Sequence, residues 1–269
     1  MRLFDTHAHL DDKKYDQDRE EMLKRAQAKG IQHIVNVGYD LASSQRSIRL
    51  AEQFAFIYAA VGIHPHDAGE TTEESFSKLR KLAEHPKVVA VGEMGLDYFR
   101  DLSPRDIQQQ VFRRQLGLAR AIGKPVIIHD REAHGDIMTI LKEEQAGQIG
   151  GILHCFSGSW EMAEQCLEMG FYLSIAGPVT FSNARKLVEI AAKVPLNRLL
   201  IETDAPYLTP EPYRGKRNES AHVALVAEKI ASVRKITLEE LAEATTSNGL
   251  RVFKLTSSYE NNPVCRQFS

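Results

Sequence analysis

Two histidines one residue apart, in His7-Ala8-His9, carry the first chemical signal in the chain. In an extended segment residues i and i+2 point to the same side, so both imidazoles can meet at one point and share a metal ion. Further donors each follow a short apolar run: Glu93 after 88–91, His129 after 125–128, His154 after 151–153 and Asp204 after 198–201. Taken singly, each has a plainer explanation. The histidines suit a surface turn or a hydrogen-bonded core, Glu93 a salt bridge to a neighbouring strand, and Asp204 a helix cap. Taken together, four imidazoles and two carboxylates on one rim are hard to accommodate without positive charge between them. Imidazole and carboxylate suit Zn²⁺, Mn²⁺ or Mg²⁺. Glu93 is the natural carboxylate to bridge two such cations, a pair that stabilises both attacking and leaving oxygens in hydrolysis. Asp204 can be both ligand and acceptor of the nucleophile's proton, which makes Glu93 and Asp204 the candidate catalytic residues.

Around this set lie groups fit to bind a phosphorylated substrate. His64 follows the run at 56–61, Arg100 lies in the loop beyond Glu93, and Arg214, Lys216 and Arg217 lie in the loop beyond Asp204; all could hold phosphate oxygens. Tyr98, Phe99 and Trp160 could stack on bases or simply pack at the rim. Glu132 could hold an imidazole from behind. Cys155, next to His154 in a strand, should point away from it, towards the helices, and be inert. The chain has no G-x-S-x-G, no P-loop and no Cys/His nucleophile arrangement.

The elements that must position these residues read as alternating short and long segments. Apolar runs at 2–4, 31–37, 56–61, 88–91, 125–128, 151–153, 171–175 and 198–201 are short and continuous, as buried parallel strands are. Helical patterns separate them at 16–29, 43–54, 73–84, 105–122, 132–143, 161–169, 184–192 and 221–233, and Thr237 opens a last helix towards Phe253. Ser103-Pro104 should cap the helix at 105–122. Eight βα units without a GxGxxG predict an α/β fold, a (β/α)₈ TIM barrel, in which catalytic residues sit at the carboxyl ends of the strands. An open doubly wound sheet is the weaker fit. No Pro/Gly/Ser linker divides the chain, so one domain is expected over 1–255, followed by an aperiodic, disordered tail at 256–269.

Composition narrows the class. With Lys+Arg 34 against Asp+Glu 36, no global basic field exists to coat long nucleic acid, although a few phosphates can still be gripped locally. Cys155, Cys166 and Cys265 show no paired spacing, which favours a reducing compartment. No signal-peptide stretch or apolar run of membrane length is present, so a cytoplasmic protein with no membrane partner and no obligate protein partner is expected.

The motifs also resemble a known family. Phe4-Asp5-Thr6-His7-Ala8-His9-Leu10, Gly62-Ile63-His64-Pro65, Gly92-Glu93-Met94-Gly95-Leu96-Asp97-Tyr98, Pro125-Val126-Ile127-Ile128-His129, His154-Cys155-Phe156-Ser157-Gly158 and Glu202-Thr203-Asp204-Ala205-Pro206 are similar to those of the TatD metal-dependent deoxyribonucleases, in the same order, over about residues 1–255. The resemblance implies an amidohydrolase-like TIM barrel that hydrolyses nucleic-acid phosphodiesters, commonly as a 3′→5′ exonuclease with two divalent ions. By motif position it implies His7 and His9 on one metal, Glu93 bridging, and His129 and His154 on the second. Asp204 would be ligand and base, and His64 a phosphate contact. DNA with short or single-stranded ends is the implied substrate. The alternative is an amide, lactone or aminoacyl ester cleaved on the same centre; a structural metal or a pure binding module is a third, non-enzymatic reading. Two departures stand out. Ser220 replaces a proline, which should loosen its loop, and 257–269 has no family counterpart. The bridging position holds Glu93 where amidohydrolase relatives often use a carboxylated lysine, which favours the nuclease branch.

Overall fold

A computed structural model describes residues 1–255; the expected tail, with Cys265, lies outside the described residues. Strands β1 (Leu3–Ala8), β2 (Ile31–Val37), β3 (Ile57–Val61), β4 (Val88–Asp97), β5 (Val126–Arg131), β6 (Gly151–Leu153), β7 (Tyr172–Ile175) and β8 (Leu199–Ile201) form one sheet in sequential order. Every neighbouring pair is parallel. The ring closes between its ends: Ala8 bridges Ala205, the His9 N–H donates to the Ala205 carbonyl at 2.7 Å, and the Asp204 N–H donates to the His7 carbonyl at 2.9 Å. The fold is a (β/α)₈ barrel.

Helices α1 (Arg19–Ala28), α2 (Leu41–Gln53), α3 (Glu73–Ala83), α4 (Arg105–Ile122), α5 (His134–Glu143), α6 (Trp160–Glu168), α7 (Arg185–Lys193) and α8 (Val223–Arg234) return the chain between strands, and α9 (Leu238–Val252) follows. Local chemistry sets several of their ends. Asp40 accepts from the Ser43 N–H at 2.6 Å to start α2, and Thr237 accepts from the Glu240 N–H at 3.1 Å to start α9. The expected Ser103 cap is not used. Its hydroxyl donates to the His66 carbonyl and accepts from Gly69, tying the loop after β3 to the loop after β4.

The barrel interior is legible in one buried cluster. It takes Phe4, Val35, Ala60, Ala90, Ile127, Ile152, Tyr172 and Leu200, one or two residues from each strand, and Phe253 behind α9 plugs it with its ring 5.7 Å from Phe4. Two residues further along their strands from Ile127, Ile152 and Leu200 stand His129, His154 and Glu202. Side chains alternate between faces, so the same face that builds an apolar floor carries the polar groups at the mouth.

β1, β4 and β5 run past their apolar segments, so His7, Glu93 and His129 lie within strands rather than just after them. Backbone pairing holds His129 there: Gly95 pairs with it across β4 and β5. A Cβ on Gly95, at φ +144°, would sit 1.9 Å from the His129 carbonyl oxygen, so only glycine lets the two strands approach this closely.

Candidate metal centre

At the carboxyl end of the barrel the six predicted donors converge. His7, His9, Glu93 and His154 are buried, and His129 and Asp204 are nearly so. The Nε2 atoms of His7 and His9 lie 3.2 Å apart. Each is 3.5–3.6 Å from Glu93 Oε2 and from Asp204 Oδ1. On the other side Glu93 Oε1 lies 2.8 Å from both His129 Nδ1 and His154 Nε2, which are 3.2 Å from each other. The donors therefore fall into two groups, and each oxygen of Glu93 belongs to one of them.

Hydrogen bonding on the far side of the rings decides which nitrogen is offered. His9 Nδ1 is 2.8 Å from the Val37 carbonyl and donates to it, leaving Nε2 as the atom with a free lone pair. His129 presents Nε2 to Asp97 Oδ2 at 3.3 Å, which leaves Nδ1 to face Glu93. His154 turns Nδ1 towards Glu202 Oε1 at 3.4 Å and Nε2 towards Glu93. His64 is arranged the other way. Its Nδ1 accepts from the His66 N–H at 3.2 Å, so the neutral ring carries its proton on Nε2, 3.6 Å from Glu93 Oε1. His64 is thus a donor towards the cavity, while His9, His129 and His154 turn towards the carboxylates the nitrogen that a cation would take.

This donor set fits a divalent cation. Donors held about 2.0–2.2 Å from one tetrahedral ion stand roughly 3.4 Å apart, close to the spacing around His7, His9, Glu93 and Asp204. The electrostatics agree. Burial would raise the Glu93 carboxyl, but His154, His64 and the hydrogen bond from His129 hold it well below its ordinary value. Burial likewise opposes ionisation of Asp204, and the His9 hydrogen bond with the charge of His7 overcomes it. His9, which burial would lower, is pushed up to about 9 by Asp204 and Glu93. His129 and His154 are raised as well, while burial and the neighbouring His154 lower His7; carboxylates kept ionised in so buried a cluster are what a site built around positive charge requires.

His9, Glu93, His129, His154 and Asp204 line a cavity of about 880 Å³, with His7 buried behind them, together with His64, Arg100 and several residues that sequence reasoning gave no role: Tyr39, His66, Asp97, Arg131 and Tyr207. Asp97 was discoverable, because 93, 95 and 97 share parity in an extended strand. His66 stands two residues after His64 and binds Asp97 Oδ2 at 2.8 Å. Glu202, the residue after β8, accepts from the Cys155 N–H at 2.6 Å and has no exposed surface.

Other expectations are corrected. Arg217 does not line the cavity: its guanidinium forks onto Asp18 at 2.6 and 2.7 Å and donates to the Lys14 carbonyl. Arg214 lies over the Phe181 ring at 4.1 Å, also off the cavity. Glu132 is exposed, and Asp97 and Glu202 stand behind the imidazoles instead. Cys155 lines the cavity rather than facing the helices, because β6 has ended and the residue turns at φ +42°. Its thiol is nonetheless held well above its ordinary value by burial, so it stays protonated. Tyr98 is engaged with Asp136 through its hydroxyl at 2.7 Å, and Trp160 packs against the core. Ser220 is buried and donates to Asp5 at 2.6 Å, which anchors its loop to β1.

Residues 4–254 match the family model described as TatD related DNase. The chain belongs to the TatD family. YabD of Bacillus subtilis, named an uncharacterized metal-dependent hydrolase, is 53% identical over 253 residues, covering 94% of this chain and 99% of that protein. The TatD protein of Cronobacter turicensis, named a 3′-5′ ssDNA/RNA exonuclease, is 37% identical over 95% of this chain and 99% of its own length. The crystal structure of YjjV, a TatD homologue of Escherichia coli, superposes with a TM-score of 0.89 at 34% identity, covering 94% of this chain and 98% of that one. With its converging donors, this TatD-family chain is a metal-dependent hydrolase.

Proposed function

We propose that this protein hydrolyses phosphodiester bonds at the ends of single-stranded DNA, removing nucleotides 3′→5′ with two divalent cations (Mg²⁺, Mn²⁺ or Zn²⁺) as cofactors. The observation that carries the reading is the division of Glu93, one oxygen towards His7 and His9 and the other towards His129 and His154. His7, His9 and Asp204 would hold one cation, His129 and His154 the other, and Glu93 both. Such a pair supplies Lewis-acid activation of water and compensates charge on phosphoryl oxygens.

The protein's own groups divide the remaining work. Asp204, ionised at neutral pH, takes a proton from the attacking water. The water oxygen ends on phosphorus, the P–O3′ bond breaks, and the 3′-oxygen leaves as a hydroxyl, with the proton Asp204 took from water returned to it through Asp204 or solvent. His64 Nε2–H and the Arg100 guanidinium donate to non-bridging phosphate oxygens. Arg214 and Arg217 have no part in this reading. A polynucleotide substrate is supported by the cationic wall of the cavity and by the exonuclease name of the Cronobacter relative.

The test is to incubate purified protein with 5′-labelled single-stranded DNA plus Mg²⁺, Mn²⁺ or Zn²⁺, then repeat with chelator. A ladder shortening from the 3′ end, abolished by chelation, is expected. Cleavage of amides, lactones or aminoacyl esters with no release of nucleotides would overturn the assignment.

A further inference from the structure

The cavity mouth is chemically divided. Eight strands in sequential order close into a ring, so each faces the strand four places away: β8 faces β4, and β1 faces β5. After β8 comes Tyr207, whose ring lines the cavity, is 48% exposed and lies 6.2 Å from His9. After β2, on the other flank of β1, Tyr39 lines the same wall with its ring 5.8 Å from His9. Lys14 lies 4.6 Å from the Tyr207 ring centroid. Across the mouth, β4 leads to Arg100 and β5 ends in Arg131. Among the described residues neither guanidinium has a carboxylate partner. Arg131 instead lies over Phe99, its Cζ 4.1 Å from the ring centroid, and Phe99 is 60% exposed. The donor groups around Glu93 sit between the two walls.

We infer that this division orients a single-stranded polynucleotide: the base of the terminal nucleotide stacks on Tyr207, beside Tyr39, while the body of the strand leaves across Arg100 and Arg131. The inference rests on the phosphodiesterase reading and deepens it by naming the residues that select a free strand end. Aromatic faces take any base, since every base presents a π-face. Guanidinium groups without an acid partner take phosphate oxygens. A phosphate poised between them has a base on one side and further phosphates on the other. A duplex end cannot present that arrangement without fraying, so single strands are preferred. The platform of Phe99 under Arg131 offers the next base a second stacking surface.

The test uses metal-loaded protein and two single-stranded oligothymidylates, alike except that one ends in an abasic 3′ residue. The wild type should cleave the complete end roughly 5- to 150-fold more efficiently, the range that one base–aromatic stack contributes. Tyr207→Ala should erase that ratio and Tyr207→Phe should keep it. Because the ratio is taken within one variant, partial misfolding cancels. Arg131→Ala should remove the advantage in KM of a ten-nucleotide strand over a dinucleotide while leaving the base ratio intact. If Tyr207→Ala discriminates between the two ends as strongly as the wild type, the inference is wrong. Equal cleavage of both ends by the wild type would also overturn it. No release from either oligonucleotide by the wild type defeats the phosphodiesterase reading itself, and this one with it.

Discussion

Asp97 and His129 form a relay into the metal centre: Asp97 Oδ2 lies 3.3 Å from His129 Nε2, and the opposite edge of the ring presents Nδ1 to Glu93 at 2.8 Å. The carboxylate fixes both the ring's rotation and the position of its proton. Asp97→Asn would keep the acceptor for the Phe99 and Arg100 N–H groups but turn an amide N–H₂ towards the ring. Metal affinity should fall about 10- to 100-fold, the usual effect of losing a partner behind a ligand, with the fold intact. A competition titration against a chelating dye measures this, and unchanged affinity would refute the relay.

Glu93 and Asp204 should separate in their effects, because Glu93 faces both groups of imidazoles and Asp204 only one. Glu93→Gln should lower occupancy at both positions. Asp204→Asn should leave the His129 and His154 position filled while kcat falls about 10²- to 10⁴-fold, the range for losing a proton acceptor. Metal content by elemental analysis, paired with turnover, distinguishes them. Equal metal loss in the two variants would deny Glu93 its bridging place.

Removing metal should destabilise the whole barrel, since the proposed ligands come from β1, β4, β5 and the segments that follow β1, β6 and β8. Without cations, Glu93 and Asp204 must be compensated by protons on the imidazoles, a weaker arrangement. Metal at about 100 times its dissociation constant stabilises by roughly 2.7 kcal/mol, which for a chain of this size is a Tm change of about 5–10 °C. Scanning calorimetry with and without EDTA reads the difference. An identical Tm in both would mean that the donors do not hold metal in the folded state.

Much of this arrangement was legible before any coordinates. The apolar runs gave the barrel its strands because buried parallel strands need no alternation. The same pattern ended β1, β4 and β5 too early, since the strands continue past the polar residues His7, Glu93 and His129: pairing shifts register at His7 and Glu93 and resumes beyond them at Ala8 and Met94, while His129 itself pairs with Gly95. The six converging donors were visible because their types are unusual at strand ends. The basic loop misled, because nothing local reveals that Asp18, almost two hundred residues before Arg217, folds back to take its guanidinium. Tyr207 and Arg131 were silent for a similar reason: they matter only once β8 is set against β4, and β1 against β5.

His33 should make the protein acid-sensitive independently of the metal centre. It is 8% exposed, packs against Phe4 and Tyr58, and is lowered to about 4 by burial and by the charge of Arg2. The unfolded chain therefore binds this proton more readily than the folded one. The stabilising contribution is complete above the ordinary histidine value of 6.5 and is lost as pH falls from there towards 4. A shift of that size corresponds to roughly 3 kcal/mol at its full extent. Comparing the wild type with His33→Phe, both in EDTA, isolates the effect from the other histidines. The difference in their unfolding free energies by urea should change by that amount between pH 7 and pH 4, with the wild type losing more. A difference that stays flat across the interval would show that His33 can be protonated inside the folded barrel at no cost.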